Sequence, residues 1–244
     1  MLFEADDAGI RQKKTYRNEW KYCCSENDLE MIRNRLDAVL DKDSHSDRDG
    51  KYEIHSLYFD DYKDTCAKEN DAGISERVKY RIRYYGSQCS FMKLERKEKR
   101  DSRCHKDSCP ISMDDYMRIV NGDTDELFWQ TQNPLLKQFC AVCMARRFMP
   151  KAIIDYERTA YVEEITNIRI TLDENISVSD DFDHFLDGDY IRCPVQERRK
   201  HVLEVKFDYV LPNHIKHIVT NRNLIQTSFS KYGLGRQKLQ NMGR

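Results

Sequence analysis

Long cations recur at every second position in several short stretches of this 244-residue chain. Rows of guanidinium forks and ammonium groups are suited to holding phosphate oxygens. The richest stretch is 77–99. Its first arm runs Arg77-Val78-Lys79-Tyr80-Arg81-Ile82-Arg83-Tyr84-Tyr85 and its second Phe91-Met92-Lys93-Leu94-Glu95-Arg96-Lys97-Glu98-Lys99, with Gly86-Ser87-Gln88 as a turn signal between them. Extended chain sends alternate side chains to opposite faces. Arg77, Lys79, Arg81 and Arg83 therefore share one face, against Val78, Tyr80 and Ile82. Lys93, Glu95, Lys97 and Lys99 share another, against Met92, Leu94, Arg96 and Glu98. Taken alone, such alternation also describes a solvated outer face over a core. The pattern returns, however, in Glu19 and Lys21, in Arg158, in Arg169, and in Glu204 and Lys206, each time opposite apolar neighbours.

The elements that must position these residues follow from periodicity and punctuation. Strands are expected over 16–22, 52–60, 77–85, 91–99, 152–162, 168–173 and 201–209. Ser25, with Asp28 three residues on, reads as a helix cap, and Leu29, Ile32, Leu36 and Val39-Leu40 follow at helical spacing. A short helix is expected over 61–68, another from Ser112 to Gly122, a third from Asn133-Pro134 to about Phe148 with Pro150 ending it, and a fourth from Pro212 to Val219. Residues 41–50 and 180–189 read as polar loops, 100–109 as a charged loop or short strand, and 228–233 as a closing tail. Residues 1–14 read as a flexible arm, and 15–244 as one domain.

At least five strands thus pair an apolar face with a face of basic residues and isolated glutamates, while several amphipathic helices need apolar surface to cover. The economical arrangement is an α+β fold: an antiparallel β-barrel tunnel with a charged interior and helices packed outside. Unpaired cations inside would cost several kcal/mol each, so the interior must hold water and a polyanion. The glutamates suit a divalent cation bridging phosphates. Few aromatics share the basic faces, which argues against single-stranded nucleic acid.

These residues fall into motifs. Glu19-Trp20-Lys21 resembles the opening of triphosphate tunnel metalloenzymes. Ser56-Leu57-Tyr58-Phe59-Asp60, Arg81-Ile82-Arg83-Tyr84-Tyr85-Gly86, Leu94-Glu95-Arg96-Lys97, Tyr156-Glu157-Arg158-Thr159-Ala160-Tyr161, Arg169-Ile170-Thr171-Leu172-Asp173, Leu203-Glu204-Val205-Lys206 and Ser230-Lys231-Tyr232 are similar, in order, to the motifs of the VTC domain. That is the catalytic domain of the vacuolar transporter chaperone polyphosphate polymerase. The resemblance spans 16–235 and implies transfer of the ATP γ-phosphate to a growing polyphosphate chain with Mn²⁺ or Mg²⁺. It implies that Lys21, Arg81, Arg83, Lys97, Arg158 and Lys231 carry catalysis, that Lys106, Arg169, Lys206, Ser230 and Tyr156 bind phosphate, and that Glu204 holds the metal with Glu95 or Glu19. Arg103 competes with Lys106 for its place. The resemblance also implies a stand-alone, prokaryotic-type version without the sensing domain and membrane helices of the yeast complex. A metal-dependent triphosphatase or polyphosphatase of the same fold, or a non-catalytic polyphosphate-binding subunit, are the alternatives.

Composition narrows the rest. Lys and Arg number 41 and Asp and Glu 42, a net charge of −1, so any basic site comes from segregated charge rather than from bulk charge. Charged residues make up 34% and hydrophobic ones 39%, which leaves enough for a core. Nine scattered cysteines, a polar 1–14 segment and no apolar run of membrane length point to a reducing cytoplasm with free thiols. Cys140-Ala-Val-Cys143 lacks a second pair for zinc and sits in an apolar helical segment. The expected partners are ATP and polyphosphate. The polar helices neither require nor exclude a membrane-protein partner, and oligomeric state is not encoded in any motif.

Overall fold

The computed structural model describes residues 15–43, 50–220 and 224–243; the expected arm, 1–14, lies outside the described residues, as does 44–49 of the expected loop. The strands are β1 (Arg17–Ser25), β2 (Asp41–Lys42), β3 (Tyr52–Asp60), β4 (Glu76–Tyr85), β5 (Met92–Arg100), β6 (Arg103–Ile111), β7 (Met149–Glu163), β8 (Ile168–Ser179), β9 (Cys193–Pro194) and β10 (Lys200–Phe207). The helices are α1 (Glu26–Asp37), α2 (Thr65–Asp71), α3 (Met113–Asn121), α4 (Thr124–Gln130), α5 (Pro134–Arg146), α6 (Asn213–Val219) and α7 (Lys231–Asn241).

Eight strands run in the order β7-β3-β4-β5-β6-β1-β10-β8, and β8 pairs back onto β7, so the sheet closes on itself. Every pairing is antiparallel. The short β2 and β9 extend it beside β7 and β8. Closure is thinnest between β1 and β6, which share only the pairs Arg17↔Cys104 and Asn18↔Arg103.

Alternation then decides what faces in. The outward residues of β3, β4 and β5 (Leu57, Phe59, Tyr80, Ile82 and Leu94) are buried in one cluster with Ile119, Leu127, Leu136 and Phe139 of α3–α5. Those of β1, β8 and β10 (Tyr22, Ile170, Leu172, Leu203 and Val205) are buried with Leu29, Ile32, Leu36, Ile215 and Val219 of α1 and α6. Burial of apolar surface at about 25 cal/mol per Å² makes this outer coat the main cohesive force, and it fixes each strand so that its polar face lines the interior. Capping boxes at Ser25–Asp28 and Ser112–Asp115 start α1 and α3, and Gly122, at φ 88°, ends α3 in the left-handed conformation that glycine tolerates.

Several expectations are corrected. Of the two readings of 100–109, loop or short strand, the strand holds and is longer than expected: 103–111 is a full barrel strand, with Lys106 turned to the tunnel and Cys109 and Ile111 buried on the outer side. Pro150 does not merely end α5; it lies in β7 opposite Phe59, at a register shift that absorbs its missing N–H. Helix α1 stops at Asp37 and leaves Val39 exposed. Helix α4 is additional, and the expected tail is the start of α7. No helix among the described residues is long and apolar enough to cross a membrane. All nine cysteines are free, and burial pushes the Cys140 and Cys143 thiols up to about 11 and about 12, as fits small hydrophobes.

Candidate functional site

The barrel encloses a cavity of about 530 Å³. Thirteen lysine and arginine side chains line it, against two carboxylates, Glu19 and Glu204. In a chain of net charge −1 this is an extreme segregation; strand alternation places twelve of the thirteen, and Lys231 comes from α7.

The hairpin β4–β5 supplies one wall. Arg81 donates from Nε to Glu95 at 2.7 Å and from Nη1 to the Tyr58 hydroxyl at 2.7 Å. Arg83 donates to Ser56 Oγ and to the Tyr156 hydroxyl, both at 2.9 Å. Burial disfavours the Tyr58 phenolate, yet the Arg81 and Arg83 guanidiniums outweigh it and bring the phenol down to about 8. Lys79, on the same face, donates to Ser230 Oγ at 2.9 Å and to Asn70 at 3.2 Å. Burial lowers its ammonium to about 8, against the opposing pull of Tyr58.

The opposite wall comes from β1, β10, β8 and β7. Lys97 of β5 reaches Glu19 at 2.7 Å. Lys206 lies 2.5 Å from Glu204 and 3.7 Å from Glu19. Burial opposes ionisation of both glutamates, and the Glu204 charge opposes that of Glu19, but Lys21, Lys97 and Lys206 hold both well below the usual carboxylate range. Arg158 forks onto Asp173 at 2.6 and 2.8 Å, and Lys231 meets the same carboxylate at 2.6 Å. Arg169 is tied to Asp43 at 2.5 Å and to the Tyr52 hydroxyl at 3.1 Å.

Helix α7 completes the lining from inside the barrel. Tyr232 stacks on Tyr58 with ring centroids 4.9 Å apart and donates to Asp60 at 2.8 Å. Ser230 caps the helix by accepting from the Gly233 N–H at 3.1 Å. Its N-terminus, an anion-attracting end, therefore opens onto the cavity beside Lys79.

Of the fourteen residues expected at the site, thirteen line this cavity: Lys21, Arg81, Arg83, Lys97, Arg158, Lys231, Lys106, Arg169, Lys206, Ser230, Tyr156, Glu204 and Glu19. Lys106 lines the cavity and its ammonium meets Glu95 at 2.9 Å, while its competitor Arg103 is exposed. Glu95 is the exception. Fully buried behind the lining, it is occupied by Arg81, Arg83 and Lys106, which hold it ionised against the cost of burial. It is a countercharge to these three cations, and among the described residues no three His, Cys, Asp or Glu side chains form a metal-sized cluster. Asp60 accepts from the N–H groups of Asp61, Cys66 and Ala67 and so secures the start of α2. Sequence reasoning gave no role to Lys79 or Tyr58, although the alternation that marks Arg81 and Ser56 marks them too. Asp173 as shared anchor of Arg158 and Lys231 had no sequence signal beyond its position on a basic face.

A closed antiparallel barrel with a cation-lined interior and helices outside is the triphosphate tunnel fold, and solved structures agree. A Bacillus halodurans protein assigned as an adenylate cyclase superposes with a TM-score of 0.51 at 10% identity, covering 85% of this chain and 87% of its own. A Hippeastrum protein assigned as an adenylyl cyclase and described as having a dominant triphosphatase activity gives 0.54 at 13% identity, covering 91% and 96%. The model of the VTC domain matches residues 16–240. The chain belongs to the VTC-domain family. Among curated protein sequences, none matches it.

Proposed function

We propose that this protein synthesises inorganic polyphosphate from ATP, passing the γ-phosphate to the end of a chain held in the tunnel and releasing ADP. The observation that carries the reading is the imbalance of thirteen cations to two carboxylates in a narrow enclosed channel, within the VTC-domain family. Most of these cations rest in the free protein on an oxygen of the chain itself, as Arg81 does on Glu95 and Tyr58, Lys97 on Glu19, and Arg158 and Lys231 on Asp173, and a polyphosphate chain offers oxygens in a row to replace those partners. Arg81, Arg83 and Arg158 present planar forks suited to two phosphate oxygens at once, and Lys21, Lys97, Lys206 and Lys231 act as point charges. The work of the protein is alignment and neutralisation of an in-line transfer, with no covalent enzyme intermediate.

Mn²⁺ or Mg²⁺ fits Glu19 and Glu204. They are adjacent hard-oxygen donors, they remain ionised, and a lysine ammonium already bridges them where a cation is wanted. Two carboxylates completed by phosphate oxygens and water is the usual protein share of such a site. When bound, the ion would neutralise charge on the transferring phosphate.

Incubation of purified protein with ATP and Mn²⁺, scoring long polyphosphate, ADP and free phosphate together, tests the proposal. Polymer matched by ADP is expected, and Arg81→Ala should abolish it while circular dichroism shows the fold intact. ADP and phosphate without polymer would instead assign a triphosphatase activity of the kind described for the Hippeastrum protein. Polyphosphate binding without turnover would leave a binding subunit.

A further inference from the structure

The tunnel cations are not equally neutralised. Ten of the thirteen make an ion pair with a carboxylate among the described residues. Arg77, Lys79 and Lys99 make none. Lys79 still has Ser230 and Asn70. Arg77 donates to the backbone oxygen of Ile74 at 2.7 Å, and Lys99 has no side-chain hydrogen bond among the described residues.

The three lie together. Arg77, Lys79, Arg81 and Arg83 follow one another along the inner face of β4, and the cross-strand partners on β5 are Lys97 for Lys79 and Lys99 for Arg77. Two successive rungs of the ladder thus set cation against cation, which destabilises a sheet. Glu19 relieves the first through Lys97. No carboxylate pairs with the second. Glu76 and Glu98 alternate to the outer face, where Glu98 takes Arg96 and Arg100. Burial and the Arg77 and Lys21 charges press the Lys99 ammonium below its ordinary value, and Glu19, already shared by three lysines, offsets them only in part.

Arg77 stands one residue inside the start of β4 and Lys99 one residue inside the end of β5, both half-buried, so this bare pair sits at a rim of the tunnel. An inner cation must exchange its carboxylate for a phosphate. The rim pair has none to exchange and gains in full from an anion. From Arg77 to Arg83 is six residues of extended chain, about 20 Å, more than three phosphates in a row can fill. A triphosphate on Arg81 and Arg83 therefore leaves the rim pair bare. We propose that Arg77 and Lys99 form an outer subsite for polyphosphate beyond the third phosphate, so that this tunnel favours long chains over tripolyphosphate. The inference rests on the reading of the tunnel as a polyphosphate site and adds which residues sense length.

The test is calorimetric titration of tripolyphosphate, and of size-fractionated polyphosphate several times longer, into the whole metal-free protein and into its Arg77→Gln/Lys99→Gln variant. The parent protein should bind the long chain more tightly than tripolyphosphate. The variant should bind the long chain about tenfold more weakly than the parent, with a log–log salt slope shallower by about one, while its tripolyphosphate affinity changes by about twofold or less. Comparing two proteins on one polymer cancels the advantage a long chain has through its many registers. Lys99→Gln alone, with no side-chain bond to lose, should melt no lower than the parent. Equal weakening of both ligands would put the pair in the triphosphate site and overturn the proposal. So would long-chain binding indifferent to the double variant, or a lower melting temperature for Lys99→Gln, which would make that lysine structural. Tripolyphosphate failing to bind the parent at all is a different result: it would overturn the tunnel reading, and the subsite with it.

Discussion

At the scale of single residues, the tunnel is a set of charges kept ionised by one another, and Glu95 is the most exposed to loss. Glu95→Gln removes the countercharge shared by Arg81, Arg83 and Lys106. Because breaking a buried pair strands its partner, it should destabilise the protein by about 3 kcal/mol. Tripolyphosphate supplies the missing negative charge, so thermal melts should show a larger ligand-induced rise in the variant than in the parent. Lys79 gives a pH test. Its folded pKa of about 8 lies below the ordinary 10.5, so the cost of burying its charge is present below pH 8 and relieved between pH 8 and 10.5. Phosphate binding needs the charged form, and Tyr58 ionises in the same range. Tripolyphosphate affinity should therefore fall as pH rises through about 8. Lys79→Met should bind about tenfold more weakly at pH 7, the worth of one charged hydrogen bond, and show a shallower fall, both readable by calorimetry. The cations were legible in the sequence because alternation places them. The pairing of Arg158 and Lys231 on Asp173 was not, because residues 158, 173 and 231 meet only through barrel closure and the return of α7.

At the scale of elements, α7 turns a barrel into a site, and its fit depends on Gly235. A Cβ there would stand 2.5 Å from Ile154 Cδ1 and 3.1 Å from Val178 Cγ2. Gly235→Val should therefore overpack this contact at a cost of about 1–3 kcal/mol. As the helix shifts, Ser230 and Lys231 should leave the lining, so tripolyphosphate affinity should drop even in protein that remains folded; paired melts and titrations would separate the two effects. Helix α7 was hard to foresee, since its run Lys231-Tyr232-Gly233-Leu234-Gly235 carries two glycines and reads as loop chemistry. Tertiary packing overrides that propensity because Gly235 admits close approach to β7 and β8, while Gly233 sits against Asn70 and Asp71 of α2. Strands 52–60 and 77–85 were legible through clean alternation, and α3 and α5 through Ser112, Gly122 and Asn133-Pro134. Strand β6 was obscured by its mixed charges, of which Lys106 faces the tunnel while Arg103 is exposed and Asp107 pairs with Arg96, and α4 follows α3 too closely for periodicity to separate them.

At the scale of the whole molecule, Glu19, Glu95, Asp173 and Glu204 are all held below their ordinary values by cations that outweigh the cost of burial. The stability this contributes is fully present above the unfolded carboxylate range, near 4, and is lost as pH falls below it. Acid melts should be steep there, and tripolyphosphate should widen the stable range by binding the folded state alone. The closed topology was legible as a tunnel from the faces of its strands; the thin β1–β6 closure was not, because no motif encodes how few residue pairs two strands share. That closure also bears on how the protein comes to exist. Lys21 of the first strand pairs with Glu204 of the last long one, so the ring forms only across most of the chain. Such distant pairing makes folding slow. Until the ring closes, a half-built sheet presents a bare row of cations whose repulsion opposes the very step that would enclose them. Phosphate polymers already present as the chain folds would screen that row, so what the finished tunnel binds would also hasten its assembly, and refolding rates should rise with added tripolyphosphate.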